Sequence, residues 1–446
     1  MIIDDILNEE LRNRTYYLEH IKWWIWKPLI KVLIWQRRVW KSSLMKQIIQ
    51  YLVKERKYEK TEIFYLNKEF PEFDHIKNYN DLTHILLDFI EWKENVVIAI
   101  DEIQEIENWQ KAIDWLLSKY QKKVDIFITW SNAHLLSWEY ATYLTWRYIT
   151  IPVYPLTFQE YCLFNNKEKN QETFNRFIEI WGLPWASLLW DSKEFIYQYL
   201  NSVYLTVIEK DIEPRFKINK KDFFLSLYKY VFANIWNIFS AKSISDYLKN
   251  ERISITIDTI IDYLSYWEEA LLLHKTKSQE IITKKIFSIY NKYYVWDIWL
   301  RNSLTWFVYS RDIWLLLENY IYLVLKKYGY TINIGRFKNN KEVDFVAEKY
   351  WKIRYIQVTK NIENKETADR EYEPLLAIKD NWPKFVVSKD EVWIWENEWI
   401  IHVNVMDFED VISNFFRSFE IYCVKYKSTN SRSWFNWRRV ISNSYR

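Results

Sequence analysis

From Leu29 onward the chain alternates apolar runs with amphipathic stretches. Runs at 29–34, 62–66, 96–100, 124–129 and 148–153 read as strands, and 41–55, 81–91 and 109–119 carry apolar residues at helical spacing. Strands alternating with helices predict a parallel sheet covered on both faces. The near-continuous apolar runs VVIAI and VDIFIT fit strands buried on both sides. Ahead of the first strand, residues 4–20 read as one helix, followed by the turn KWWIWKP. After the sheet, TFQE (157–160) is a capping box that opens a further helix.

The rhythm then changes. A helical run at 193–216 precedes three short helices (221–233, AKSISDYL and ITIDTIIDYLSY) and the β-prone pieces LLLHKTK and KKIFSIY, a pattern that suggests a winged helix. Its third helix would enter a DNA groove, yet it carries Asp258 and Asp262 and no Lys or Arg, so it suits a protein contact equally. From 291 a long helix, a strand and the hairpin KEVDFVAEKYWKIRYIQVTK, turning at Trp351, describe another α/β unit. Beyond Ile421 there is no acid, and Lys425, Lys427, Arg432, Arg438, Arg439 and Arg446 make a basic tail, either a nucleic-acid contact or a solvated terminus. The expected organisation is an α/β domain at 1–165, a helical lid or connector at 166–220, a winged-helix-like unit at 221–290, an α/β domain at 291–412 and a tail at 413–446.

In a parallel sheet, chemistry collects at the carboxyl ends of the strands. The first strand runs into WQRRVWKSSL, the skeleton of the phosphate loop Gly-x4-Gly-Lys-[Ser/Thr] with tryptophan at both glycine positions, Trp35 and Trp40. The strand VVIAIDE ends in Asp101 and Glu102, the pattern in which an aspartate holds Mg²⁺ and a glutamate orients and deprotonates water. Alone, an acidic pair after a strand is usually a solvated loop start; downstream of a phosphate-loop skeleton it becomes specific. ITWSN puts Ser131 and Asn132 at the next strand end, either a γ-phosphate sensor or a turn. Arg147 precedes another strand, placed either to stabilise transition-state charge, in cis or across a subunit contact, or to form a surface ion pair.

Composition bears directly on the two tryptophans. The chain has 3 Gly and 27 Trp in 446 residues; pooled they approach the roughly 31 glycines that a typical frequency of about 7% gives for this length. The economical reading is a UGA codon that the host decodes as glycine and a standard table renders as tryptophan; its rival is a protein rich in tryptophan. A left-handed backbone costs a non-glycine residue only about 1–2 kcal/mol. Volume decides instead, because an indole would occupy the cradle in which loop N–H groups close on phosphate oxygens. The remaining composition is ordinary: net charge +3 and pI near 8.4 give no strong polyanion footprint. Cys162 and Cys423 alone point to a reducing compartment, and no apolar stretch reaches a membrane span of ~20 residues, so a cytoplasmic protein without signal peptide or anchor is expected.

Together WQRRVWKSSL, IDEIQ, ITWSNAHLLSWEYATYLTWRY and IPVYPLTFQEY resemble the prokaryotic archaeal-type P-loop ATPase family, AAA-like proteins with a C-terminal restriction-nuclease-fold domain. That family reads G-x-R-R-x-G-K-[ST], IDEIQ, T-G-S-[NS], S-G-R and PLSF-x-E. This chain departs with Trp for Gly at Trp35, Trp40, Trp130 and Trp146, and with Thr145 for Ser. Trp109 falls where the family often has a true tryptophan. WGLPW (181–185), Lys210-Asp211-Ile212 and DIWLR (297–301) extend the likeness.

The resemblance implies an α/β fold: a P-loop NTPase parallel sheet with helices on both faces, then a winged-helix-like segment and an α/β restriction-nuclease-like domain. It implies ATP and Mg²⁺ as cofactors, a nucleotide cradle of Trp35, Arg37, Arg38, Val39, Trp40, Lys41, Ser42 and Ser43, metal ligation by Ser42 and Asp101, and catalysis by Glu102, Asn132 and Arg147. Partners left open are nucleic acid, through the winged helix or the tail, and further copies of the chain; no membrane is expected. In the C-terminal part Glu318, Glu342-Val-Asp344 and Gln357-Val-Thr359 follow the nuclease order, but Gln-Val-Thr replaces the needed [DE]-x-K and Lys360 alternates to the opposite face, so a binding or structural domain is expected in place of a nuclease. The rival for the whole chain is a non-hydrolysing DNA- or protein-binding scaffold whose literal Trp35 and Trp40 block the phosphate loop.

Overall fold

The computed structural model describes residues 2–34, 41–130, 147–180, 193–216, 218, 221–235, 238–250, 255–298, 301–302, 309–338, 341–362, 364–391 and 399–413. Two helices lead the chain, α1 (Ile2–Asn8) and α2 (Thr15–Lys22), where the sequence suggests one. The break is at Arg14, which turns inward: its backbone N–H donates to Gln47 Oε1 at 2.9 Å and its guanidinium pairs with Glu160 at 2.8 Å. Then follow β1 (Ile30–Ile34), α3 (Lys41–Lys54), β2 (Ile63–Asn67), α4 (Tyr79–Ile90), β3 (Val96–Asp101), α5 (Trp109–Tyr120), β4 (Val124–Trp130) and β5 (Tyr148–Pro152).

These five strands form one sheet in the order β2-β3-β4-β1-β5, with every pairing parallel. Strand alternation divides their side chains between two cores. Val32, Ile34, Leu66, Ile98, Ile100, Ile126 and Ile128 pack with Leu82, Leu86 and Ile90 of α4 and Ile113, Leu116 and Leu117 of α5. Leu33, Ile63, Tyr65, Val97, Ala99, Phe127 and Ile151 pack on the other face with Leu44, Ile48 and Leu52 of α3 and Tyr17 and Ile21 of α2. Each such aliphatic side chain removed from water contributes about 1.5–3 kcal/mol. The sheet is therefore held rigid from both sides, and the carboxyl ends of β1, β3 and β4 lie together.

Beyond it come α6 (Phe158–Asn165), opened by the Thr157–Glu160 capping box as the sequence predicts, α7 (Gln171–Ile180), α8 (Lys193–Val207), which runs into a π turn at Ile208–Ile212, and α9 (Lys221–Ala233). The chain continues through β6 (Ile238–Phe239), α10 (Ala241–Asn250), α11 (Ile257–Glu269), β7 (Leu273–Glu280), β8 (Ile286–Val295), α12 (Tyr309–Lys327), β9 (Thr331–Arg336), β10 (Glu342–Lys349), β11 (Lys352–Val358), α13 (Lys365–Leu376), β12 (Lys384–Ser388), β13 (Ile401–Asn404) and α14 (Phe408–Ser413). The second sheet has the order β13-β12-β11-β10-β9-β7-β8-β6. The β7–β8 hairpin, expected as a wing, pairs through β7 in parallel with β9 (Ser278↔Ile334), and residue 290 lies inside β8. Residues 221–290 and 291–412 thus share one sheet.

A buried charge chain joins the two sheets. Glu160 of α6 receives Arg14 at 2.8 Å and Lys327, the last residue of α12, at 3.4 Å; Lys327 also reaches Glu409 of α14 at 2.8 Å. Burial alone would raise the Glu160 carboxyl, but the Arg14 and Lys327 cations overcome it and hold its pKa at about 2.

The described tryptophans differ in their surroundings. Trp267, Trp109 and Trp296 fill cores, Trp267 lying edge-on to Tyr228 at 5.2 Å. Trp92 and Trp351 are 92% and 88% exposed, and both have left-handed backbones, with φ 68° and 65°. Trp92 follows the C-cap of α4, where glycine is the favoured residue. Tyr350 and Trp351 form the two-residue β10–β11 turn, both at positive φ, the shape in which glycine is usual at the second position. Trp26, at φ 60°, shares this conformation but stacks on Tyr58.

Candidate functional site

The register of the first sheet brings three strand ends together. Ile34 of β1 pairs with Trp130 of β4, Leu33 with Thr129, and Ile100 of β3 with Ile128, which sets Asp101 beside Thr129. Asp101 and Thr129 are fully buried, and Glu102 nearly so. The Thr129 hydroxyl donates to Asp101 Oδ1 at 2.5 Å and accepts the Glu102 N–H at 2.8 Å. Glu102 itself has a left-handed backbone (φ 56°, ψ 49°), a conformation that costs a non-glycine residue about 1–2 kcal/mol and persists only where neighbours fix it. Gln104 Nε2 donates to Glu102 Oε2. Asp101 Oδ2 is buried and has no hydrogen-bond partner among the described residues.

An ionised carboxylate oxygen left bare in a dry site is costly unless a cation or donor meets it. Asp101 Oδ2 therefore fits a hydrated divalent ion held at the strand end. Helix α3 begins at Lys41, seven residues after the last residue of β1, and presents half-buried Ser42 and Ser43 in its first turn, where N–H groups and the helix dipole favour an anion. Trp35, Arg37, Arg38, Val39 and Trp40 lie outside the described residues, as do Ser131, Asn132 and Trp146, and so does the side chain of Lys41.

For Arg147 the cis reading is corrected. This arginine opens β5, whose first residue Tyr148 pairs with Ile30, the first residue of β1, and its Nη1 donates to Ser118 Oγ at 3.4 Å. Because β5 runs parallel to β1, its start lies at the opposite end of the strands from Asp101, about 13 Å along the strands at ~3.3 Å per residue and three strands, roughly 14 Å, across the sheet. In cis, Arg147 does not reach the site. Trp130 lies at the site's edge, but its buried indole packs against Trp109 (5.4 Å between rings) on the α5 side of the sheet. Sequence reading gave Thr129 no role, although it is the first residue of the T-G-S-[NS] pattern and a hydroxyl residue at the end of a strand in a parallel sheet.

The second sheet holds a different cluster. Lys292 of β8 pairs with Glu318 of α12 at 2.5 Å, both buried, and Tyr294 OH donates to the same carboxylate oxygen at 2.6 Å. Asp344, beside a bulge of β10, accepts the Val358 N–H at 2.8 Å; Gln357 Oε1 accepts the Asp344 N–H, and Gln357 Nε2 donates to Glu371 at 3.1 Å. Desolvation, then the Glu318 charge, push the Asp344 carboxyl well above its ordinary pKa against the pull of Lys292. Desolvation lowers Lys292, but Glu318 and Asp344 more than reverse it, so its ammonium is held charged. No group of three or more His, Cys, Asp or Glu disposed to hold a metal ion occurs among the described residues.

A five-stranded parallel sheet with helices on both faces, ending in this acidic pair, is a P-loop NTPase fold. Residues 27–162 match the family described as AAA domain. An uncharacterized protein of Methanocaldococcus jannaschii is 30% identical over 371 residues, covering 79% of each chain; this chain belongs to the same family. An uncharacterized protein of Haemophilus influenzae is 29% identical over 388 residues, covering 86% of this chain and 94% of its own. Among solved structures, domain III of the Thermotoga maritima replication initiation protein DnaA aligns at 14% identity and a TM-score of 0.26, over 47% of this chain and 92% of that one. No helix among the described residues is long and apolar enough to cross a membrane.

Proposed function

We propose that this protein is a Mg²⁺-dependent ATPase of AAA type. The observation that carries the reading is Asp101 Oδ2, a buried carboxylate oxygen without a partner, set by Thr129 at the strand end facing the start of α3. Asp101 and Ser42 would hold the metal ion, which when bound supplies positive charge against the β- and γ-phosphate oxygens. Lys41 neutralises phosphate charge, and the backbone from Trp35 through Ser43, with Arg37, Arg38 and Val39, forms the cradle. Glu102 accepts a proton from the water that attacks the γ-phosphorus as the bond to the leaving ADP oxygen breaks, and Asn132 senses the γ-phosphate.

Trp35, Trp40, Trp130 and Trp146 are read as glycines in the host. Support comes from Trp92 and Trp351, which put exposed indoles on left-handed backbone. At Trp130 the backbone makes no such demand, since it is extended at the end of β4, and its indole is packed. The C-terminal sheet is read as binding or structural, because Lys292 already neutralises Glu318.

The mass of the host peptide spanning 35–40 tests the decoding: two indole masses there would overturn it. With glycine confirmed, Mg²⁺-dependent phosphate release from ATP should fall at least ~100-fold in Lys41→Ala. Equal release from parent and variant would refute the ATPase reading. Metal-dependent DNA cutting that Asp344→Ala abolishes would refute the reading of the second sheet.

A further inference from the structure

We infer that Thr129 is the positioning residue of the hydrolytic pair, setting both the Asp101 carboxylate and the Glu102 backbone through one hydroxyl. The inference rests on the ATPase reading above and adds to it a role for Thr129, the first residue of the T-G-S-[NS] pattern. A threonine hydroxyl has one proton and two lone pairs. Here the Glu102 N–H, at 2.8 Å, takes a lone pair, so the proton is committed to Asp101 Oδ1. That fixes the rotation of the carboxylate. Oδ1 is engaged inside the sheet, and Oδ2 is left as the bare oxygen.

The second bond acts on the neighbour. Glu102 is non-glycine in left-handed backbone, and its N–H is tied to Thr129 Oγ1. Without that acceptor the N–H loses a buried hydrogen bond, and the turn that aims the carboxylate of Glu102 loses its tie to β4. Thr129 therefore governs two separable quantities: affinity for Mg²⁺, through Asp101, and turnover, through Glu102. It is suited to the task because it is fully buried on a strand flanked on both sides, by β3 and by β1, so its own position is fixed by the sheet. A hydroxyl serving only to satisfy itself would need one backbone carbonyl; this one bridges two chemically distinct groups of the adjacent strand end.

The test uses the full chain carrying the residues its host inserts at positions 35 and 40, with Thr129→Val and Thr129→Ser as variants. Phosphate release gives kcat and KM for ATP, and the fluorescence of mant-ATP gives nucleotide affinity as Mg²⁺ is titrated. Thr129→Val keeps the shape and removes both bonds. It should lower kcat roughly 100-fold and raise the half-saturating Mg²⁺ about 10-fold, with mant-ATP affinity at saturating Mg²⁺ within about 3-fold of the parent. Thr129→Ser, which restores the hydroxyl, should recover kcat to within about 3-fold. A Thr129→Val protein with the parent's kcat and Mg²⁺ response, or a Thr129→Ser protein as impaired as Thr129→Val, overturns the inference. A parent that binds mant-ATP without releasing phosphate overturns the ATPase reading alone, and the Mg²⁺ response of binding in the two variants then decides Thr129. A parent that binds no nucleotide overturns both.

Discussion

At the end of β3, Asp101 leaves one buried oxygen bare, whereas in the second sheet Glu318 is met by Lys292 from its own chain. Both centres place carboxylates in protein of low polarity, where a charge without a partner costs several kcal/mol. The first is completed only by something from outside; the second has supplied its own cation. The difference separates a site that awaits a ligand from one that has been closed into structure, and acidic residues at strand ends do not by themselves distinguish the two.

Lys292→Met puts the largest strain on that contrast. It leaves Glu318 buried without its cation and should destabilise the fold by about 3–5 kcal/mol, read as a fall in the denaturant midpoint, while hydrolysis per folded molecule is kept. Asp101→Asn should do the reverse: stability within about 1 kcal/mol of the parent or higher, and phosphate release lower by roughly 100-fold. If Asp101→Asn destabilises as much as Lys292→Met, the contrast fails.

The junction between the sheets gives a pH signature. The Glu160 carboxyl is held at about 2 by Arg14 and Lys327, below the 4.5 of a free glutamate. A depressed carboxyl contributes stability that is complete above its unfolded pKa and lost as pH falls through its folded one. About 3 kcal/mol should therefore disappear between pH 4.5 and 2, and Glu160→Gln should flatten that part of the stability curve. An unchanged acid limb in the variant would place the acid sensitivity elsewhere. The smallest effects are at the exposed turns: Trp92→Gly and Trp351→Gly should each stabilise by about 1 kcal/mol, measured by denaturant unfolding, because glycine enters the left-handed region without the steric cost. Destabilisation by either would count against glycine at that position.

Much of the first sheet was legible in the order of residues. The alternation of apolar runs with helical spacing, the skeleton WQRRVWKS, and Asp101-Glu102 after a buried strand are local patterns, set by neighbours within a few positions. The leading helix was misread because the reason for its break, Arg14 bound to Glu160, lies at the far end of the domain's sequence. The cis reading of Arg147 failed because its place near a motif in sequence says nothing about which end of a parallel strand it occupies. The wing became part of a larger sheet because an exposed edge of β7 had a partner in β9.

The sequence by itself determined the class of fold, the phosphate-loop skeleton and the acidic pair, since strand period and motif spacing are properties of contiguous chain. Only the tertiary structure decided that Thr129 bridges Asp101 and Glu102, that Lys292 closes the cluster at Glu318, and that Trp92 and Trp351 stand where glycine fits best. Those facts depend on which strands lie side by side and on the sign of φ, and both are fixed when distant segments pack against one another to remove apolar surface from water.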